Sequence, residues 1–144
     1  MSKLAKDVMT TDPQCCTAET PLNDVAKLMV ECDCGEIPVI DAAKRLVGVV
    51  TDRDIVCRIV AKGKNPSAMT AADCMSQPVV SVHSDTSVDE VLSTMEAKQI
   101  RRVPVIDAAG RVCGIIALAD VAFSESKSEV GELVREVSRG ATTH

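Results

Sequence analysis

Residues 38–43 have the sequence Pro-Val-Ile-Asp-Ala-Ala, and residues 104–109 repeat it without a change. At this offset of 66 residues, 8 of the 12 positions from 37 to 48 are identical to their counterparts, and Met9 falls on Met75 and Asp54 on Asp120. A single register that holds without a gap over such a length indicates an internal duplication. Two copies of 66 residues account for nearly all of the 144 residues, so one copy and its repetition decide the fold.

Each copy predicts the element order strand, helix, strand, strand, helix. In copy one, Thr20 is expected to cap a helix that begins at Pro21, because proline at that position loses no hydrogen bond. Apolar residues follow at helical spacing, and Gly35 is expected to end the helix in a left-handed turn. The predicted elements of copy one are an extended piece at 14–17, a helix from 21, strands at 37–41 and 46–50, and a helix over 51–61.

Copy two predicts the same order, with Thr86 as the cap of a helix over 88–98 and with strands at 103–107 and 112–117. One copy is too small to cover its own sheet, so we expect an α/β (α+β) fold in which two pseudosymmetric copies pack sheet to sheet as one module. The expected bounds are 7–63 for copy one, 73–125 for copy two and 126–139 for a C-terminal amphipathic helix, which packs on its own domain or contacts a partner.

The composition restricts the classes of function. Hydrophobic residues make up 46% of the chain and the net charge is −5, with one Phe, no Trp and no Tyr. An acidic chain without stacking residues is a poor binder of single-stranded nucleic acid. No apolar run reaches the length of a membrane span, and the N-terminus has no apolar signal region. We therefore expect a soluble, cytoplasmic protein with no nucleic acid and no membrane among its partners.

Residues 48–54 (Gly-Val-Val-Thr-Asp-Arg-Asp) suit a phosphorylated ligand that carries hydroxyl groups. Gly48 allows close backbone approach, a helix start offers N–H groups to an anion, and Asp54 can accept both hydroxyls of a ribose. Thr51 and Asp54 also match an ordinary capping box that needs no ligand, and taken alone these residues favour that interpretation.

Arg101 and Arg102 precede the central strand of copy two. Paired guanidinium groups can neutralise a polyphosphate, whereas an isolated pair is more typical of a solvated turn. The chain contains no Ser/His/Asp arrangement, Walker loop or G-x-G-x-x-G pattern. No catalytic residues are predicted, and the chain is not expected to be an enzyme.

Two gapless copies, each with a hydrophobic-Pro-Val-hydrophobic-Asp strand and a Gly-x-x-(Thr/Ser)-x-x-Asp ending, resemble a tandem cystathionine-beta-synthase (CBS) domain pair, or Bateman module, of the stand-alone bacterial type. The resemblance runs from about Asp7 to Phe123. It implies a regulatory binder of adenosyl nucleotides (AMP, ADP, ATP, NAD or S-adenosylmethionine), often a homodimer, that performs no catalysis itself. Copy two departs from the pattern, because Ala117 stands where the hydroxyl residue belongs.

The resemblance also implies two sites, each assembled across the two copies. In the main site Asp54 would hold the ribose, Thr51 with Arg101 the phosphates, and the backbone near Val79 and Ile100 the adenine edge. The full set implied for the main site is Thr51, Arg53, Asp54, Gln77, Pro78, Val79, Ile100, Arg101 and Arg102. The set implied for the second, weaker site is Thr11, Pro13, Cys34, Gly35, Glu36 and Asp120.

The two implied sites differ in charge. Gly35 and Glu36 stand where the main site has two arginines, so a phosphate in the second site would meet a carboxylate. We therefore expect the main site to dominate nucleotide affinity. The two arginines favour a phosphate-bearing ligand over S-adenosylmethionine.

The seven cysteines have neither a secretion signal nor the paired spacing of a four-ligand zinc site. They are expected to be small buried hydrophobes, with a redox role for Cys34 as the alternative. No metal and no catalytic cofactor are predicted.

The predicted function is a nucleotide-sensing module that acts on an unidentified protein in trans through ligand-dependent conformation or assembly. One alternative is a ligand-independent dimerisation scaffold with a vestigial pocket. Another is a cysteine-based redox or metal sensor.

Overall fold

Helices and strands follow one another in an order that repeats once along the chain, as the duplication predicts. The computed structural model describes residues 3–77 and 79–121 and has the mixed α+β fold expected from the sequence. In chain order the elements are α1 (Ala5–Val8), β1 (Thr10–Thr11), α2 (Leu22–Cys32), β2 (Glu36–Ile40), β3 (Leu46–Thr51), α3 (Asp52–Ile55) continuing as a π-helical segment (Val56–Val60), 3₁₀ turns at Pro66–Ala68 and Ala71–Asp73, β4 (Val82–His83), α4 (Val88–Lys98), β5 (Arg102–Ile106), β6 (Val112–Ala117) and α5 (Leu118–Val121).

The chain divides into two compact units that do not follow the repeat bounds. The unit that we call the Asp54 unit consists of the described residues within Gln14–Val79 and Ala109–Val112. The Asp120 unit consists of the described residues within Met1–Pro13, Val80–Ala108 and Cys113–His144. Each unit thus combines the main strands of one copy with the first residues of the other copy. The bounds 7–63 and 73–125 stay a prediction.

The Asp120 unit contains a four-stranded sheet in the order β1-β6-β5-β4. Strand β1 pairs antiparallel with β6, and β4 pairs parallel with β5. Helix α1 contacts α4, and its residue Ala5 is fully buried among aliphatic side chains of α4, the sheet and α5. Because the unit has no described aromatic side chain, this core is built from Val, Leu, Ile, Met and Ala.

The Asp54 unit is organised around the antiparallel hairpin β2–β3, with an irregularity in the register between Val39 and Ile40. Two single bridges flank the hairpin: Cys16 pairs parallel with Val39, and Ser76 pairs antiparallel with Val49. At the offset of 66 residues, Cys16 matches Val82 in β4 and Ser76 matches Thr10 in β1. The core of this unit is again aliphatic, with buried side chains from α2, the hairpin and the segments around Cys16 and Ala71.

The helix caps predicted at Thr20 and Thr86 are wrong. Each hydroxyl instead closes a turn just upstream: Thr20 Oγ1 accepts a hydrogen bond from the N–H of Thr17 at 2.9 Å, and Thr86 Oγ1 from the N–H of His83 at 3.0 Å. Helix α2 therefore begins at Leu22 without a side-chain cap. Helix α4 has the predicted bounds, but its cap is Ser87.

The left-handed turn after α2 is formed by Asp33 and not by Gly35. Asp33 has φ 52° and ψ 49°, and Gln99 at the matching position after α4 has φ 51° and ψ 48°. Aspartate tolerates this conformation better than most residues, because its side chain is short and polar. Gly35 is not needed for this turn and has another role, at the start of α3. The predicted strands at 37–41 and 103–107 each begin and end one residue earlier.

Several expectations concern other parts of the chain. In the segment predicted as extended, 14–17, only Cys16 pairs with a strand. The helix predicted over 126–139 lies outside the described residues. No helix within residues 3–77 and 79–121 combines the length and apolarity that a membrane crossing requires.

We predict that Gly114→Ala destabilises the protein by about 2 kcal/mol, because a Cβ there overlaps the Met9 side chain and lies 3.0 Å from Met9 Cβ, which cannot move without its backbone. Gly48→Ala is the matched variant: its nearest neighbour is Met75 Sδ at 2.9 Å, the far end of a flexible side chain, so it costs less. Urea unfolding followed by far-ultraviolet circular dichroism measures both. Equal stability of Gly114→Ala and wild type would contradict the packing described.

Candidate functional site

The junction between β3 and α3 contains Thr51 and Asp54. Copy two keeps the aspartate, as Asp120, but has Ala117 in place of the threonine. Thr51 ends β3 opposite Glu36 and caps α3: its Oγ1 accepts a hydrogen bond from the N–H of Asp54 at 3.0 Å. In return Asp54 Oδ2 accepts from the N–H of Thr51 at 3.1 Å. These reciprocal bonds form the capping box predicted from the sequence. They also fix where the Asp54 carboxylate lies.

The Asp54 carboxylate is surrounded by donors. Its side chain is 14% exposed, and Arg58, four residues further along the helix, places Nε 3.7 Å from Oδ1. The Ser76 hydroxyl lies 3.2 Å from Oδ1 and 3.1 Å from Oδ2. Hydrogen bonds to a carboxylate are among the stronger ones in proteins, so Asp54 is a good acceptor for hydroxyl groups.

The segment that carries Ser76 is pinned to β3. Ser76 donates its N–H to the carbonyl of Val49 at 2.8 Å and accepts from the N–H of Val49 at 3.3 Å. The side chain of Gln77 donates to the carbonyl of Val47 at 2.7 Å. A Cβ at Gly48 would lie 2.9 Å from Met75 Sδ and 3.3 Å from the Ser76 carbonyl oxygen. The close approach that Gly48 permits is therefore made by this segment of the chain itself.

Gly35 has a structural task at the same join. Its carbonyl accepts a hydrogen bond from the N–H of Asp52 at 3.0 Å, and a Cβ at Gly35 would lie 3.0 Å from Asp52 Oδ2. Asp52 Oδ1 in turn accepts from the N–H of Arg53 at 2.8 Å. A side chain at position 35 would crowd the Asp52 carboxylate, which would have to turn away from its present position.

The Asp120 unit repeats this join without the hydroxyl. The N–H of Leu118, the first residue of α5, donates to the carbonyl of Arg101 at 2.8 Å, as Asp52 does to Gly35. The last residue of β6 is Ala117, so no side-chain oxygen can accept a hydrogen bond there. Thr11 pairs with Gly114 in this unit.

The residues predicted for each site fall in both units. For the main site, the Asp54 unit holds Thr51, Arg53, Asp54, Gln77 and Val79, and the Asp120 unit holds Ile100, Arg101 and Arg102. For the second site, the Asp54 unit holds Cys34, Gly35 and Glu36, and the Asp120 unit holds Thr11, Pro13 and Asp120. Pro78 lies outside the described residues. The assembly of either site across the copies stays a prediction.

Sequence reasoning missed Ser76 and Arg58. Arg58 follows Asp54 at a spacing of four residues, which favours an ion pair on a helix and was a usable signal. Ser76 is 22 residues from Asp54 in the chain, and its only signal is that the offset of 66 places Thr10, another hydroxyl residue, at the matching position.

The model of the CBS domain matches residues 5–61 and again residues 71–126. The chain belongs to the CBS domain family. Its two copies are two CBS repeats, and the resemblance seen in the sequence is confirmed. A relative with 41% identity over 142 residues is the uncharacterized protein YlbB of Bacillus subtilis, with 97% of this chain and 94% of that protein covered.

Three solved structures share the fold of this CBS pair. Hypoxic Response Protein I, crystallised with two coordinated zinc ions, is 35% identical with a TM-score of 0.79, covering 86% of this chain and 100% of that one. The CBS pair of protein MJ0100, in complex with 5-methylthioadenosine and S-adenosyl-L-methionine, is 29% identical, with a TM-score of 0.75. The match covers 85% of this chain and 94% of that one. CBSX2 in complex with AMP is 26% identical, with a TM-score of 0.73, and the match covers 84% of this chain and 94% of CBSX2.

The cysteines of the CBS pair are only partly the buried hydrophobes that were expected. The pKa of the Cys16 thiol is raised to about 12, mainly by burial and to a smaller extent by the neighbouring Cys15. This thiol therefore stays protonated at neutral pH. The expectation is wrong for Cys57, which is exposed, and for Cys32, which is exposed and forms a disulfide with Cys34. The left-handed turn at Asp33 holds the two Cα atoms of that disulfide 5.3 Å apart. Within residues 3–77 and 79–121, His, Cys, Asp and Glu side chains form no group of three that could hold a metal ion.

We predict that Thr51→Ala lowers the free energy of unfolding by about 1 kcal/mol, because the N–H of Asp54 loses its acceptor. Thr51→Ser keeps the acceptor and should remain within a few tenths of a kcal/mol of wild type. Chemical unfolding of the three proteins, monitored by circular dichroism, gives both differences. If alanine and serine were equally tolerated, the capping bond would contribute nothing to the fold.

Proposed function

We propose that this CBS pair is a regulatory module that binds an adenosyl nucleotide at Asp54 and acts on another protein in trans through ligand-dependent conformation or assembly. The observation that supports it best is the Asp54 carboxylate, which is 14% exposed, oriented by Thr51 and already in contact with a hydroxyl group at both oxygens. A ribose presents two neighbouring hydroxyl groups, which match the two oxygens of a carboxylate.

The ligands of related structures agree with this chemistry. The structure of MJ0100 holds 5-methylthioadenosine and S-adenosyl-L-methionine, and that of CBSX2 holds AMP. These three molecules have adenosine in common and differ at the 5′ substituent. A residue that binds the shared part should therefore bind the ribose or the adenine, and a carboxylate suits the ribose.

The 5′ substituent is selected by charge in this proposal. Arg53 is exposed at the start of α3, and Arg58 lies one helical turn beyond Asp54. The expected contacts of Arg101 and Arg102 with the same ligand would add two further cations. We therefore propose AMP, ADP, ATP or NAD ahead of S-adenosylmethionine, because guanidinium groups bind phosphate with paired hydrogen bonds.

The second site is proposed to be the weaker one. Ala117 removes the capping hydroxyl from the Asp120 unit, and Glu36 adds a carboxylate where the main site has an arginine. A homodimer is proposed as the assembly that the ligand regulates, since twofold dimers are the commonest homo-oligomers.

Asp54→Ala is expected to weaken AMP binding by about 10- to 100-fold, because each hydrogen bond to a charged acceptor contributes about 1.5–3 kcal/mol. Isothermal titration calorimetry measures the loss. Asp120→Ala is the matched control from the other repeat and should change AMP affinity by no more than about twofold.

The opposite pattern would contradict the proposal: AMP affinity unchanged in Asp54→Ala and abolished in Asp120→Ala. Circular dichroism melts of both variants separate a loss of binding from a loss of folding. Arg101→Ala adds a test of the crossed site. If Arg101 contacts phosphate, the substitution weakens AMP more than adenosine.

A second candidate function, the ligand-independent scaffold, is favoured by three exposed valines in the Asp54 unit. Val30 is 82% exposed, and Val56 and Val60, which share a helical face, are 55% and 58% exposed. Contiguous exposed apolar patches mark surfaces that bind another protein, and Val56 and Val60 are neighbours on one helical face.

If the scaffold is the function, light scattering gives the same dimer mass with and without AMP, and Val60→Glu converts the dimer into a monomer. A wild-type protein that is monomeric at every concentration tested would contradict it.

A further inference from the structure

The hydroxyl of Ser76 occupies the face of Asp54 that a ribose would need. Its oxygen is almost equidistant from the two carboxylate oxygens, at 3.2 Å and 3.1 Å, so it lies between them. Two neighbouring hydroxyl groups that each donate to one carboxylate oxygen approach from this same direction. A ligand diol and the Ser76 hydroxyl therefore compete for one position.

The other contacts of the carboxylate leave little room elsewhere. Oδ2 also accepts from the N–H of Thr51 at 3.1 Å, and Arg58 Nε lies 3.7 Å from Oδ1. An ionised carboxylate offers about four lone-pair positions in total. The Thr51 bond belongs to the capping box that starts α3, so a ligand that displaced it would leave the N–H of Thr51 without its acceptor.

Ser76 can leave without any change in the backbone. Both of its main-chain hydrogen-bonding groups pair with Val49, at 2.8 Å and 3.3 Å, and these bonds hold the residue beside β3 whatever its side chain does. Rotation about the single Cα–Cβ torsion takes the hydroxyl away from Asp54. Side-chain rotations of this kind are fast and cost little compared with a loop movement.

We propose that Ser76 is a built-in competitor for the ribose: it satisfies Asp54 in the free protein and is displaced by the ligand diol. The inference rests on the proposed function and adds a residue that tunes its affinity. The Ser76 hydroxyl stabilises the ligand-free protein, because it gives the partly buried Asp54 carboxylate a hydrogen-bonding partner. The ligand must replace the hydrogen bond between Ser76 and Asp54. A nucleotide with only one ribose hydroxyl replaces it less well than a nucleotide with two.

The sign of the Ser76→Ala effect separates this proposal from the ordinary alternative. If Ser76 competes with the ribose, Ser76→Ala tightens AMP binding by about three- to tenfold, the equivalent of one hydrogen bond that no longer has to be broken. If the hydroxyl contacts the ligand or positions Asp54 for it, the same substitution weakens AMP binding. Unchanged or weakened affinity overturns the proposal.

Two matched variants accompany the calorimetry. Ser76→Thr keeps a hydroxyl, as Thr10 does in the other repeat, and should restore the wild-type affinity. Ser67→Ala removes a hydroxyl from the same connecting segment, where it bonds Asn23 at 3.0 Å, and should leave AMP affinity unchanged. A gain in affinity with Ser67→Ala as well would assign the effect to a looser segment and overturn the proposal.

A measurement on the wild-type protein guards against a variant that does not fold. With serine labelled with ¹³C, the Cβ signal of Ser76 should shift on addition of AMP and stay in place with the 2′,3′-dideoxy analogue. A Cβ signal unmoved at saturating AMP overturns the competitor role alone. Failure of AMP to bind either wild type or Ser76→Ala overturns the proposed function with it, so the two failures are distinguishable.

Discussion

The reciprocal hydrogen bonds between Thr51 and Asp54 are the interaction on which the site depends. They satisfy backbone N–H groups at the start of α3, which is their ordinary role in a protein. The same two bonds hold a carboxylate at the end of β3, beside Ser76 and Arg58. A stabilising helix cap and a ligand acceptor are therefore one arrangement, and neither interpretation of the sequence excludes the other.

The duplication lets that arrangement diverge while the fold stays the same. Both repeats join a strand to a helix through the same backbone hydrogen bond, made by Asp52 in one unit and by Leu118 in the other. Because this bond uses only main-chain atoms, the side chain at the cap can change without loss of the join. Ala117 is the result: the second helix still begins at the end of its strand, and the hydroxyl is gone.

Much of the fold could be predicted from the sequence because its signals are local. The helix at 88–98 follows from apolar spacing, and the strands from continuous β-branched runs, to within one residue. The caps at Thr20 and Thr86 were wrong because a hydroxyl can serve either the turn before it or the helix after it. The contact of Ser76 with Asp54 joins residues that are distant in the chain, so no local pattern predicts it.

The central claim is that the Thr51–Asp54 cap is also the place where an adenosyl nucleotide binds. The most direct measurement is a titration of ¹⁵N-labelled protein with AMP, followed through the backbone amide signals. Binding at the cap predicts that the amides of Thr51 and Asp54 shift together and saturate, while those of Leu118 and Asp120 shift little. Amide signals of Thr51 and Asp54 that stay in place at millimolar AMP would contradict the account.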